Sequence, residues 1–162
     1  QAVGAATSGA ELRSSRRTPT VSTISSKWAA TVGRGQAFER VNWDQSYPVT
    51  VTTLDELIAE FGLPRFCKLD IEGSELSALL GLSVPLPHLS FEYIPAAVGE
   101  AIDCLGRLGE LAEYEFNWTV GESHRLRSRE WLTKSRMAQR LRSMLSDHRS
   151  GDIYARLSHS NS

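Results

Sequence analysis

From residue 49 onward the sequence alternates between short apolar segments and longer amphipathic segments. The short segments have the pattern of strands: residues 49–53, 66–71, 89–93, 114–120 and 153–157. The longer segments have the pattern of helices: one opened by the capping-box sequence Thr53-Leu54-Asp55-Glu56 and ended by Gly62 and Pro64, then residues 72–80, 98–112 and 131–145. Strands that alternate with helices form βαβ units, in which helices cover both faces of the sheet. The sequence therefore predicts an α/β fold with a mostly parallel sheet flanked by helices.

The first 48 residues lack this alternation and are rich in Ser, Thr and Arg. Residues 2–6 and 10–14 are predicted to form a short hairpin, and residues 14–26 a loop or an edge element. The whole chain of 162 residues fits one domain, with an irregular segment over residues 1–48 and an α/β core over residues 49–162. Because the first residue is Gln1 rather than Met, we expect a chain processed or cut from a longer one.

The composition excludes several classes of protein. With 41% hydrophobic and 23% charged residues the chain is globular rather than disordered. Two cysteines, Cys67 and Cys104, are too few for a disulfide framework, which predicts a reducing compartment and a cytoplasmic location. There is no apolar run of the roughly 20 residues that a membrane span needs and no signal-peptide pattern, so no membrane association is predicted.

The charge is distributed unevenly along the chain. Residues 44–122 carry fourteen acidic and three basic side chains, whereas residues 123–162 carry nine basic and three acidic ones. A basic segment can contact nucleic acid or anionic lipid, but these basic residues are not interleaved with aromatic ones, as a base-stacking surface requires. A solvated helix face is therefore favoured over a polyanion site. The basic residues concerned are Arg125, Arg127, Arg129, Lys134, Arg136, Arg140 and Arg142.

Carboxylates follow two of the predicted strands, and ligands of open α/β sheets bind beyond the carboxyl ends of strands. One run is Lys68-Leu69-Asp70-Ile71-Glu72-Gly73, and the other places Glu92 in Phe91-Glu92-Tyr93. Lys68 and Asp70 are two residues apart and share one face of a strand, while Glu72 is expected to start the next helix. Structural roles remain open for each: a buried ion pair between Lys68 and Asp70, a helix-start carboxylate at Glu72, and pairing of Glu92 with a cation.

Other kinds of site have little support in the sequence. Cys67 is interpreted as a small core residue, since nothing nearby in the sequence activates it. The four histidines are scattered without metal-ligand spacing, and there is no phosphate loop or nucleophile elbow. No metal site is predicted, although Asp70, Glu72 and Glu92 could hold a divalent cation through oxygen ligands.

Several runs together resemble the FkbM family of methyltransferases. They are residues 51–57 (VTTLDEL), 66–75 (FCKLDIEGSE), 89–93 (LSFEY) and 151–156 (GDIYAR), together with residues 18–23 (TPTVST) followed by Trp28. The pattern T-L-D, about a dozen residues and then K-x-D-x-E-G-x-E is fairly specific. The resemblance covers nearly the whole chain, as the C-terminal two thirds or so of the family domain.

The resemblance implies a Rossmann-like sheet of the class I methyltransferase type, S-adenosylmethionine as methyl donor, and O-methylation of a sugar, polyketide or similar small molecule. It implies a catalytic set of Asp70, Lys68 and Glu72, in which Asp70 lies where the general base or the substrate-orienting group would be and Lys68 orients or neutralises it. Glu72 and Glu92 would line the same crevice, and Tyr93 would shape the acceptor pocket.

The family's domain begins with a strand, a glycine-rich loop and a helix, and an acidic residue after the next strand holds the ribose of the donor. These elements are not found in residues 1–162, so the fold is predicted to be N-terminally truncated and no residue is assigned to cofactor binding. Two other functions stay open: a non-catalytic interaction module of the same fold, and a nucleic-acid or lipid-surface binder that uses residues 123–142.

Overall fold

The structure, a computed structural model, describes residues 1–17, 22–26, 29–30, 41–144 and 149–158. In chain order, these residues form β1 (Ala2–Val3), β2 (Ser8–Ser14), β3 (Ser22–Thr23), β4 (Gln45–Thr52), α1 (Leu54–Phe61), β5 (Cys67–Leu69), α2 (Glu75–Leu80), β6 (His88–Tyr93), α3 (Val98–Leu111), β7 (Tyr114–Trp118), α4 (Lys134–Ser143) and β8 (Gly151–Leu157). Short 3₁₀ helices lie at Pro95–Ala97 and Gly121–Ser123. The family-like residues 18–21 and Trp28 fall outside the described residues.

The strands of the N-terminal part form a sheet in the order β1-β4-β2-β3. The predicted hairpin is not formed, because β1 and β2 pair with opposite edges of β4 instead of with each other. Strand β4 has eight residues and offers a longer ladder than a hairpin closed at Thr7-Ser8-Gly9 would. Strand β3 pairs with β2 at the edge of the sheet, which agrees with the edge element predicted for residues 14–26.

The second sheet has the order β5-β6-β8-β7 and carries the candidate site. Strands β5 and β6 are parallel, whereas β8 runs antiparallel to both β6 and β7. The α/β class is confirmed, but both sheets are mixed rather than mostly parallel. Helix–strand alternation does not reveal strand direction, and the chain returns from α4 so that β8 inserts between two strands of the opposite direction.

The core lies between the second sheet and its helices. Helix α3 packs against β6, and α4 packs against β7. Arg107 fastens α3 to the end of α2 by donating hydrogen bonds to the carbonyls of Leu79 at 3.1 Å and Leu82 at 2.7 Å. The largest fully buried side chains are Tyr93, Phe91, Phe116, Leu79, Leu82, Leu86, Leu89, Leu105, Leu108, Met137, Leu141 and Ile153. Burial of each contributes roughly 1.5–3 kcal/mol to stability.

The helix boundaries follow local hydrogen bonding. At α1 the predicted capping box is confirmed, because the Thr53 hydroxyl accepts from the Glu56 amide at 3.1 Å and the Glu56 carboxylate accepts from the Thr53 amide at 3.2 Å. Helix α4 begins at Lys134, three residues later than predicted, because Leu132 exchanges two backbone hydrogen bonds with Phe116. In the part of the chain that the structure describes, no helix combines the length and apolarity needed to cross a membrane.

Candidate active site

A polar cavity of about 220 Å³ lies where β5 and β6 end and β8 begins. Because β8 is antiparallel to β6, its first residues lie beside the last residues of β6, and Asp152 is the register partner of Glu92. The cavity thus lies at the carboxyl ends of parallel strands, as expected, and the start of the antiparallel strand β8 also contributes to it. The cavity is lined by Lys68, Asp70, Glu72, Glu92, Gly121, Ser150, Gly151 and Asp152.

Lys68 joins two carboxylates at the mouth of this cavity. Its Nζ lies 3.2 Å from Oδ2 of Asp70 and 3.7 Å from Oδ1 of Asp152. The Lys68 and Asp70 side chains are 50% and 55% exposed, so the alternative of a buried ion pair is wrong. An exposed pair contributes only about 0–1 kcal/mol to stability, which leaves Asp70 accessible to a ligand.

Glu72 lies in a tight turn rather than at the start of a helix. Its φ is +49° and that of Gly73 is +83°, so both residues adopt left-handed backbone conformations, and α2 begins only at Glu75. The prediction that Glu72 starts the helix is therefore wrong. The buried hydroxyl of Thr23 donates to the Glu72 carbonyl at 2.6 Å and holds the turn from the N-terminal sheet. Left-handed backbone is uncommon at residues other than glycine, and such residues cluster at functional sites.

Glu75, the last acid of the K-x-D-x-E-G-x-E run, supports the turn from inside. Its side chain is buried, and Oε1 accepts from the Ile71 amide at 3.2 Å. Burial raises the pKa of Glu75, while hydrogen bonds from backbone amides, including that of Gly73, act in the opposite direction. Glu75 therefore fixes the backbone that carries Asp70 and Glu72.

Burial and mutual repulsion alter the protonation of two acids in the cavity. The pKa of Glu72 is raised to about 7, first by burial and then by Asp70 and Glu75. The pKa of Glu92 is raised to about 8, first by burial and then by its acidic neighbours, although a hydrogen bond with Ser150 lowers it. The Oε2 atom of Glu72 is buried and has no hydrogen-bond partner among the described residues. Near neutral pH the cavity is thus less negative than its four carboxylates suggest.

These raised pKa values predict a stability that falls with increasing pH. Between about pH 4.5 and pH 8 the folded chain holds protons on Glu72 and Glu92 that the unfolded chain has released. Raising the pH through this interval therefore lowers the free energy of unfolding. Glu92→Gln removes one of these two groups. The difference in melting temperature between Glu92→Gln and wild type should therefore shift in favour of the variant as the pH is raised from about 5 to about 8.5.

The measurement is a series of thermal melts across this pH range. Glu60→Gln is the matched control, since Glu60 is exposed on α1 and lies outside the cavity. Its melting temperature should keep a constant offset from wild type. A constant offset for Glu92→Gln as well would contradict the raised pKa of Glu92.

Tyr93 points away from the cavity. It is 2% exposed, and its hydroxyl donates to the Thr119 carbonyl at 3.1 Å. A Cβ atom at Gly151 would lie 3.0 Å from Cε1 of Tyr93, so the Tyr93 ring packs against Gly151, which lines the cavity. Its predicted role in shaping the acceptor pocket stays a prediction, and any effect would be transmitted through the Gly151 backbone.

The acids of the cavity are not arranged as metal ligands. Within the described ranges, no group of three or more His, Cys, Asp or Glu side chains has a geometry that could hold a metal ion. Lys68 also occupies the position between Asp70 and Asp152 that a cation would compete for. The described residues therefore provide no ligand set for a divalent cation at Asp70, Glu72 and Glu92.

Comparison with known protein families identifies the chain. The sequence model of the Methyltransferase FkbM domain matches residues 10–149, which is most of the chain. The chain belongs to the FkbM methyltransferase family. The resemblance carried by the K-x-D-x-E-G-x-E run is thereby confirmed, and methyltransferase activity is the general function that the family indicates. Neither the curated proteins nor the solved structures contain a significant match to the chain.

S-adenosylmethionine is the typical methyl donor of such a domain, and the cavity can be tested for it. At about 220 Å³ the cavity is smaller than the roughly 300–1,000 Å³ of common ligand pockets. Its lining contains no aromatic or aliphatic side chain on which an adenine ring could pack. The cavity therefore does not fit the adenosine part of the donor, and no described residue is assigned to it.

Proposed function

We propose that this FkbM-family chain serves S-adenosylmethionine-dependent O-methylation and that the acidic cavity binds the hydroxyl group of a small molecule or sugar. The observation that carries the proposal is Asp70, an accessible carboxylate fixed by Lys68 at 3.2 Å in a cavity at the carboxyl ends of β5 and β6. An accessible carboxylate that contributes little to stability can accept a proton from a bound hydroxyl group.

The residues act on the acceptor oxygen in this proposal. When bound, the donor supplies an electrophilic methyl group. Asp70 accepts the hydrogen bond and then the proton of the acceptor hydroxyl, and Lys68 fixes the direction of its carboxylate. The Glu72–Gly73 turn, held by Thr23 and Glu75, keeps this carboxylate in place. Positioning of reacting groups can supply about 7–11 kcal/mol of a barrier, and a general base about 10²- to 10⁴-fold in rate.

The cavity lining indicates the class of acceptor. Glu92, Asp152 and the Glu72 carboxyl offer oxygen atoms that accept hydrogen bonds, and Ser150 offers a hydroxyl. Such a lining suits a ligand with several hydroxyl groups, as in a sugar, because each hydroxyl can donate to a carboxylate. It disfavours an anionic group inside this cavity, because the acids would repel it.

Glu92→Gln tests this role. Because the pKa of Glu92 is raised to about 8, the test is made at about pH 9, where Glu92 of the wild type is ionised. The amide retains the size of the side chain but removes this charge, which strengthens a hydrogen bond to an acceptor hydroxyl. A hydrogen bond to a charged group is worth roughly 1.5–3 kcal/mol, so we expect the KM for the acceptor to rise about 10- to 100-fold while kcat changes less. The measurement is steady-state methyl transfer by the intact protein.

The matched control is Glu60→Gln, which should keep the wild-type KM. An unchanged KM in Glu92→Gln would exclude Glu92 from the acceptor site. Absence of transfer to any hydroxylated acceptor by the folded, intact protein would favour the non-catalytic interaction module instead.

A further inference from the structure

A second cavity, of about 390 Å³, lies between helix α4 and strand β7. It shares no lining residue with the acidic cavity. Among the described residues, its wall contains two arginines and no carboxylate: Trp118, Ser128, Leu132, Arg136, Gln139 and Arg140 line it, together with the end of α4. Its charge is thus opposite to that of the acidic cavity.

Trp118 lines this wall and also carries a buried hydrogen-bond donor without an acceptor among the described residues. Its side chain is only 8% exposed, and the indole Nε1 has no acceptor within the part of the chain that the structure describes. A buried donor left without an acceptor costs stability, so native proteins rarely keep one without a reason. The preceding residue shows the contrast, because the Asn117 amide bonds Ser128 twice, at 2.9 and 3.1 Å.

Two exposed arginines lie on the same wall as Trp118. Arg136 and Arg140 are four residues apart on α4 and therefore share one face of the helix. The guanidinium carbon of Arg140 lies 5.2 Å from the Trp118 ring centroid. Arg136 makes no side-chain hydrogen bond or ion pair to a described residue, and Arg140 bonds only the Ser143 hydroxyl through its guanidinium, at 3.3 Å.

The structure thus separates these two arginines from the rest of the basic segment. Arg125, Arg127, Arg129 and Arg142 do not line the cavity. The two guanidinium groups offer only donors, and their planar forks match the oxygens of an oxyanion. A cavity of 390 Å³ also has room for an organic group attached to that anion.

We propose that this second cavity binds the phosphate group of a small molecule, with the guanidinium groups of Arg136 and Arg140 as donors and the Trp118 ring in the wall beside Arg140. The phosphate belongs either to a free anion or to the methyl acceptor itself, whose hydroxyl would lie in the acidic cavity. Both sources use the same chemistry at this site, which goes beyond the proposed methyl transfer.

The test is a titration of the ¹⁵N-labelled intact protein with inorganic phosphate at constant ionic strength. The readout is the indole N–H resonance of Trp118, assigned by single Trp→Phe variants. We expect a saturable shift, and Arg136→Gln/Arg140→Gln should raise the dissociation constant at least about tenfold. Arg142→Gln is the matched control on the same helix and should bind like wild type, with melting temperatures confirming that every variant is folded.

A second titration, with glucose 6-phosphate and with glucose, separates the two sources. Shifts at Trp118 together with Gly121 and Gly151 would mean that the phosphate belongs to an acceptor, whereas a shift at Trp118 alone would mean a separate anion. The proposal is overturned if Trp118 does not shift saturably with either phosphate, or if Arg142→Gln weakens binding as much as the double variant. This readout is independent of methyl transfer, so it can fail while the proposed function holds.

Discussion

Asp70→Asn should lower the turnover of the intact protein by on the order of 10²- to 10⁴-fold while leaving its melting temperature unchanged. The amide keeps the shape of the side chain but cannot take a proton from a hydroxyl. Stability should not respond, because Asp70 is 55% exposed and its ion pair with Lys68 is exposed as well. The measurement combines steady-state kinetics with thermal melts.

Asp103→Asn is the matched control, since Asp103 is an exposed acid on α3 outside the cavity. It makes the same chemical change and should alter neither turnover nor melting temperature. If Asp70→Asn lost activity only in proportion to its loss of folding, Asp70 would be a structural residue and not the base.

The largest effect on stability is expected for Gly151→Ala, which should lower the free energy of unfolding by about 1–3 kcal/mol or more. A Cβ atom at this position would lie 2.3 Å from the Thr119 carbonyl oxygen and 2.9 Å from its carbon. This clash can be relieved only by a shift of the backbone. The Thr119 amide donates a hydrogen bond of 2.9 Å to the Asp152 carbonyl, so the two segments would move together. The shift would displace Asp152, so activity should fall too.

Gly106→Ala provides the opposite case. Gly106 lies inside α3, and a Cβ atom there meets nothing within 4 Å. This variant should be more stable than wild type by about 0.5–1 kcal/mol, because alanine loses less entropy in a helix. Denaturant unfolding measures both variants. Equal stability of Gly151→Ala and wild type would contradict the prediction for that variant, because the backbone at Thr119 and Gly151 would then shift without loss of free energy.

The sequence predicted the elements of the second half of the chain better than their arrangement. The alternation from residue 49 and the Thr53 capping box depend on local periodicity and side-chain chemistry, and both are found in the structure. Strand direction and partner choice depend on contacts distant in sequence. The insertion of β8 between β6 and β7, and the pairing of both β1 and β2 with β4, therefore could not be read from periodicity.

The candidate site was predicted in part for the same reason. Lys68, Asp70, Glu72 and Glu92 line one cavity, as strand-end carboxylates of neighbouring strands should. Asp152 was missed because it starts a strand, and only an antiparallel direction brings a strand start to this edge. The turn at Glu72 was missed because Glu-Gly before an apolar run also fits a helix start.

If the acidic cavity positions an acceptor hydroxyl for methylation, the methyl group must be found on an oxygen atom of the product. The intact protein is incubated with S-adenosylmethionine carrying a ¹³C-labelled methyl group and a set of hydroxylated small molecules, and the products are analysed by NMR and mass spectrometry. We expect a methyl ether that wild type and Asp103→Asn form and that Asp70→Asn forms at least about 100-fold more slowly. A product methylated on nitrogen or sulfur, or equal rates for wild type and Asp70→Asn, would contradict it.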